Sequence, residues 1–206
     1  MIISDSGSSY EQLEEGLHPA VSILIAGVGT QRTPFKNEDG TDKVQKKMII
    51  QWETKDGLIA KEYTVSLNEK ANLRKDLESW RGKKFSPTEL EGFDMTNLLG
   101  VQCTLQIMNN DNGYAKVNTV LPKTQELKKT KGTNIYDITD HDQESFELLP
   151  NWVKQKIEQS IEWQQAKKTG EDEKKMSQKE VLEAFSDGSP VLDNDEPIDL
   201  NDIPFR

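Results

Sequence analysis

Over much of the first 120 residues apolar side chains recur with a period of two, as in a half-buried strand. AVSILIAGVGTQ (20–31) is an apolar run ending in Gly and Thr, and reads as a first strand. TPFKNEDGTDK (33–43) follows as a loop, with Asp39-Gly40 as its turn signal. VQKKMIIQWET (44–54) puts Met48, Ile50 and Trp52 on one face and Lys47, Ile49 and Gln51 on the other. Lys55-Asp56-Gly57 is a hairpin turn, and LIAKEYTVSL (58–67) is a third strand with Ile59, Tyr63 and Val65 on one face.

The period then lengthens. NEKANLRKDLESWRG (68–82) repeats Ala71, Leu73, Leu77 and Trp80 at helical spacing, with Ser66 or Asn68 as a cap and Gly82 at the stop. SPTELEGF (86–93) opens a short helix with Ser86 as N-cap, Pro87 at the first position and Glu89 closing a capping box. Strands resume at LLGVQCTLQIM (98–108) and YAKVNTVL (114–121), joined by the turn NNDNG (109–113). Three strands, a helix and two more strands is the chain order of a five-stranded oligonucleotide/oligosaccharide-binding (OB) barrel, the helix lying between strands three and four. It also fits a generic small barrel or sandwich. The expected class is mainly β with helical additions.

Five segments are expected. They are an N-terminal arm over 1–19, the barrel over 20–122, a linker over 123–147, a helical extension over 148–186 and a disordered acidic tail over 187–206. In the extension, Val153, Ile157 and Ile161 form a narrow apolar stripe from Pro150 onward, and SQKEVLEAFSDG (177–188) repeats the capping pattern. The stripe would dock on the same barrel or on a neighbour's, so a homo-oligomer is left open.

Charge refines this picture. The chain carries −10 overall, with 33% hydrophobic and 30% charged residues. Residues 20–131 hold 18 Lys/Arg against 14 Asp/Glu, whereas 187–206 hold six acids and one base. A mildly basic middle between acidic flanks suggests a binding core with an acidic appendage. No apolar run approaches the roughly 18 residues needed to span a bilayer. The first sixteen residues lack the basic and apolar regions of a signal peptide. The single cysteine, Cys103, reads as a small buried residue in a reducing compartment, so the cytoplasm is expected.

Catalytic patterns are wanting. His18 and His141 have no Cys or His companion at metal-ligand spacing, and GVGT (27–30) lacks the GK[ST] of a phosphate loop. No metal, cofactor or enzymatic activity is expected. The pattern does supply what a single strand of nucleic acid needs, namely cations for its backbone and aromatic faces for its bases. Arg32, Phe35 and Lys36 fall in the first loop, Lys46, Lys47 and Trp52 on strand two, and Lys61 and Tyr63 on strand three. Tyr114 and Lys116 open strand five, and WRGKKF (80–85) contributes Arg81, Lys83 and Lys84. Trp52 and Tyr63 share faces with aliphatic residues and read equally as core. Tyr114 and Phe35, at loop edges, read as exposed stacking platforms.

The chain ends in DLNDIPFR. Asp199, Asp202, Ile203, Pro204 and Phe205 resemble the C-terminal tip of bacterial single-stranded DNA-binding proteins, where acids precede Ile-Pro-Phe. The resemblance implies a tip that docks on replication, recombination or repair proteins, its Phe in an apolar pocket and its acids on a basic rim. Arg206 departs from that pattern by displacing the terminal carboxylate. The run from YTVSLNEKANLRKDLESWRGKKF through LEGFDMTNLLGVQC, with GVGTQ before it and LLPNWVKQKIEQS after it, resembles a family of small bacteriophage proteins that includes single-stranded DNA-binding members. Both imply a phage-type protein that coats single-stranded DNA without sequence preference in the host cytoplasm. A protein-binding adaptor or inhibitor, or a strand-annealing recombination mediator, are the alternatives.

Overall fold

The computed structural model describes residues 12–127 and 132–169. Strands β1 (Gly16–Lys36), β2 (Asp42–Thr54), β3 (Leu58–Thr64), β4 (Gln102–Asn109), β5 (Ala115–Leu121) and β6 (Asn134–Asp137) form one six-stranded sheet. The path runs β3-β2-β1-β4-β5 with antiparallel neighbours, and β6 adds to β1 in parallel. Helices α1 (Asn72–Arg81) and α2 (Pro87–Glu91) and a 3₁₀ turn (Met95–Leu98) lie between β3 and β4; α3 (Gln143–Glu147) and α4 (Asn151–Glu158) follow β6. Helical backbone resumes at 161 and runs to 169.

β1 organises the molecule, and its continuous apolar run has a physical cause. β2 lines one of its edges from Ala20 to Lys36, while the other edge takes β4 at Gly16–Val21 and then β6 at Leu24–Gly27. Register shifts after Ser22, Gly27 and Arg32 bend the strand between these partners. Its central part is covered on both faces, which demands apolar residues at successive positions rather than alternate ones. Ala20 and Ile25 enter one core with Trp52, Tyr63, Leu77, Trp80, Leu105 and Val120. Leu24, Ala26 and Val28 enter a second with Ile49, Tyr136, Leu149, Val153 and Ile157.

The first core is closed by α1. Leu73, Leu77 and Trp80 point inward, Trp80 packs on Trp52 with centroids 6.1 Å apart, and Trp80 Nε1 donates to the Gln102 carbonyl at 3.1 Å. Gly82 ends α1 in left-handed backbone (φ +67°). Neither Ser66 nor Asn68 caps it; Asn68 Oδ1 instead accepts from Lys70 N in the turn before. The Ser86–Glu89 capping box does form, with Pro87 at the first position.

β3 and β5 end the path and share no strand ladder among the described residues. Polar contacts cross the gap instead: Lys61 Nζ donates to Asp76 Oδ2 (2.6 Å) and to the Asn118 carbonyl (3.0 Å), and Thr119 Oγ1 donates to Asp76 Oδ1 (3.3 Å). The sheet is thus open where a closed barrel would carry hydrogen bonds. No described helix is long and apolar enough to cross a membrane.

The segment read as a linker over 123–147 is structured in part. It carries β6 and α3, and Tyr136 and Phe146 belong to the second core or pack against it. The stripe from Pro150 does not form one helix either. It breaks at Gln159–Ser160, where Ser160, fully buried, accepts from Trp163 N at 3.2 Å and starts the next helix. The tail and the 177–188 pattern lie outside the described residues.

Candidate nucleic-acid interface

The β1–β2 hairpin carries the first group of predicted residues. Register sets Arg32 opposite Val44 and Thr30 opposite Lys46, so these four share a face. Phe35 is 69% exposed at the tip. Arg32 and Lys36 are exposed and converge on Asp42, whose carboxyl they hold below its ordinary range, the Lys36 hydrogen bond contributing most. Arg32 also donates to Gln164 Oε1 at 3.1 Å. The tip therefore presents one ring among cations already partly matched by an acid.

The β4–β5 hairpin carries the second group. Asn110 Oδ1 accepts from Asn112 N and Tyr114 N, which folds the turn on itself and leaves the Tyr114 ring 61% exposed. Lys116, two residues on, is exposed and sits opposite Met108. Gln12 Oε1 accepts from Ala115 N and Glu15 Oε1 from Asn109 N, fixing the hairpin's ends. Tyr114 and Phe35 lie at opposite ends of β1, since Gly16 pairs with Ile107 while Lys36 borders the other turn.

Five predicted contact residues are corrected by their surroundings. Trp52 is fully buried against Trp80, and Tyr63 is 2% exposed with its hydroxyl donating to Asp76 Oδ2 at 2.8 Å. Burial, then the Asp76 charge, pushes the Tyr63 phenol well above its usual range. Neither ring can stack on a base. Lys61 is committed to Asp76, and Lys47 to Thr64 Oγ1 (3.0 Å) and Glu62 (3.6 Å). Arg81 lies over Phe85 (4.5 Å) and Phe93 (5.1 Å) and bonds Glu89, which makes it a clasp between α1 and α2. Lys83 and Lys84 are exposed beyond it, with Lys83 3.6 Å from Glu89. Cys103 is buried as expected, and burial raises its thiol.

The outward face of β1–β3 is occupied. Ile49 and Gln51 point out from β2 yet are buried, because Val153 and Ile157 of α4 pack there and Lys156 Nζ reaches Glu62 of β3 at 2.9 Å. Helix α4 thus covers the outward face of β2 and β3. GVGTQ, unexplained as a phosphate loop, is where the layer is fastened. Glu162 grips Thr30 through its N–H (2.8 Å) and hydroxyl (2.7 Å), and Gln31 Nε2 donates to the Lys156 carbonyl (2.9 Å). Thr30, Gln31 and Glu162 were missed in the sequence. Their signal was present in the Gly-Thr-Gln after an apolar run and the capping Ser160, but their partners lie over 120 positions away.

A cleft of about 930 Å³ lies elsewhere, lined by Leu13, Leu17 and His18, the Lys55-Asp56 turn, and Gln125 and Leu127. His18 sits there, 3.5 Å from Asp56 and bonded to the Glu14 carbonyl. Asp199, Asp202, Ile203, Pro204 and Phe205 lie outside the described residues. No protein-family model matches this chain, and a search of curated proteins finds no match.

Proposed function

We propose that the protein binds single-stranded DNA without sequence preference, on an OB-type barrel whose seam between β3 and β5 is held by α1, and recruits partner proteins through its acidic C-terminal tip. One observation carries the reading: two hairpin loops each present an exposed ring beside cations, Phe35 with Arg32 and Lys36, and Tyr114 with Lys116. Rings take any base by stacking, and the cations take the phosphates, so such a surface tracks a strand rather than reading it. The strand order β3-β2-β1-β4-β5, with a helix between β3 and β4, supports the barrel type. The protein would coat DNA during replication, recombination or repair.

The test is a fluorescence-anisotropy titration of labelled oligo(dT) over a salt series, with duplex DNA of equal length beside it. The expected result is tight binding to the single strand, weak binding to the duplex and a log–log salt slope of about −0.7 per neutralised phosphate. Equal affinity for strand and duplex, or none for either at low salt, refutes the reading. In the second case the adaptor alternative gains.

A further inference from the structure

The outward face of the β1–β4–β5 half differs from the rest of this acidic chain. β4 contains no charged residue, and β5 contains one, Lys116. Register places Leu17 beside Gln106 and Met108 beside Lys116 on one side of the sheet. The Asn118 amide donates across to Gln106 Oε1 at 2.9 Å, so it too lies on that side. Tyr114 precedes inward-packed Ala115 and extends the same row. Leu17 is 62% exposed and Met108 43%. On the other half of the sheet α4 fills the corresponding face and Glu62 brings a carboxylate to it.

We infer that the DNA strand runs over this β1–β4–β5 face, from Tyr114 across Met108 and Lys116 to Leu17, and not over the strand 2–3 face. The inference rests on the single-strand reading and deepens it. Three properties favour a polyanion with flat bases as the occupant. Strands β4 and β5 carry no acid in a chain of net charge −10, and the carboxylate that borders them, Glu15, is tied to Asn109 N at 2.7 Å, so Lys116 is the one charge on the two strands. Tyr114, Met108 and Leu17 supply an aromatic, a thioether and an aliphatic surface for bases, and Gln106 and Asn118 supply both donors and acceptors that tolerate any base edge. Tyr114, just before β5, and Lys116 within it stand two residues apart, about 6.7 Å along extended backbone, a spacing near that of successive phosphates in an unstacked strand.

The experiment compares four single variants with the full chain in the oligo(dT) titration: Tyr114→Ala, Lys116→Ala, Met108→Glu and, on the far layer, Trp152→Ala. All four side chains are exposed, and circular dichroism checks that each variant folds. Tyr114→Ala is expected to weaken binding on the order of 10- to 100-fold, as loss of one stacked base does. Lys116→Ala should reduce the salt slope by about 0.7, which a merely structural change would not do. Met108→Glu should weaken binding further at low salt than at high salt, and Trp152→Ala should leave it unchanged. If Tyr114→Ala and Met108→Glu bind oligo(dT) as the parent does, the track is overturned while the single-strand reading stands. If the parent binds no oligo(dT), both fall.

Discussion

Asp76 is almost fully buried on α1 and holds three donors at once: Lys61 Nζ, Tyr63 Oη and Thr119 Oγ1. Two of these belong to β3 and one to β5, so a single carboxylate spans the ends of an open sheet. Tyr63 is buried and Lys61 and Thr119 are partly so, and of the three Lys61 also donates to the Asn118 carbonyl. Removing the carboxylate strands the Lys61 charge and the Tyr63 hydroxyl. Asp76→Ala should therefore cost about 3–5 kcal/mol of stability, read from the midpoint of urea unfolding. Asp76→Asn retains an acceptor and should cost less. Equal losses would show that the negative charge facing Lys61, and not a neutral acceptor, holds the seam. The same logic explains why Lys61 and Tyr63 looked like ligand contacts in the sequence. A cation and an aromatic two residues apart on a strand suit a base and a phosphate as well as they suit a buried acid, and a one-dimensional pattern cannot say that Asp76 waits on the next helix.

Between elements, Gly29 shows how closely the C-terminal layer sits on β1. Its φ is +76°, and a Cβ there would come within 2.8 Å of both Glu162 Oε2 and Ser160 Cβ. Gly29→Ala combines an unfavourable left-handed backbone, about 1–2 kcal/mol, with a clash against the capping turn. The expected result is release of Glu162 from β1, seen as faster hydrogen exchange at the Thr30 amide, which donates to Glu162. Unchanged protection of that amide would mean that the layer adjusts around a methyl group. Local elements were legible where their determinants are local: the Ser86-Pro87-Glu89 start, the two-faced β2 and the Gly82 stop all appear as read. β6 was not legible, because a four-residue strand paired in parallel with β1 owes its existence to a non-local partner. Phe35 and Tyr114 are exposed, as their place at loop edges suggests. Trp52 resolves to its core reading against Trp80, and Arg81 is spent on Phe85, Phe93 and Glu89, partners that the pattern of WRGKKF does not reveal.

For the whole molecule the deciding quantity is how its charge is distributed. Several cations of the basic middle are matched by acids in the fold, as Lys47 is by Glu62, Lys61 by Asp76, and Arg81 and Lys83 by Glu89. The net field available to a phosphate backbone is correspondingly small, and the acidic end works against it. Residues 187–206 bring six acids and one base to a chain whose described strands β4 and β5 hold a single charge. On the proposed reading, removing 187–206 should tighten oligo(dT) binding several-fold at about 0.01 M salt, where charges act over about 30 Å, and much less at about 0.1 M, where they act over about 10 Å. Anisotropy titrations of the full and shortened chains at the two concentrations measure this directly. A shortened chain that gains equally at both salts would show a steric obstruction rather than an electrostatic one. One that gains at neither would leave the acidic end with no part in DNA affinity. Its acids and its Ile-Pro-Phe hook would then act on a partner protein alone.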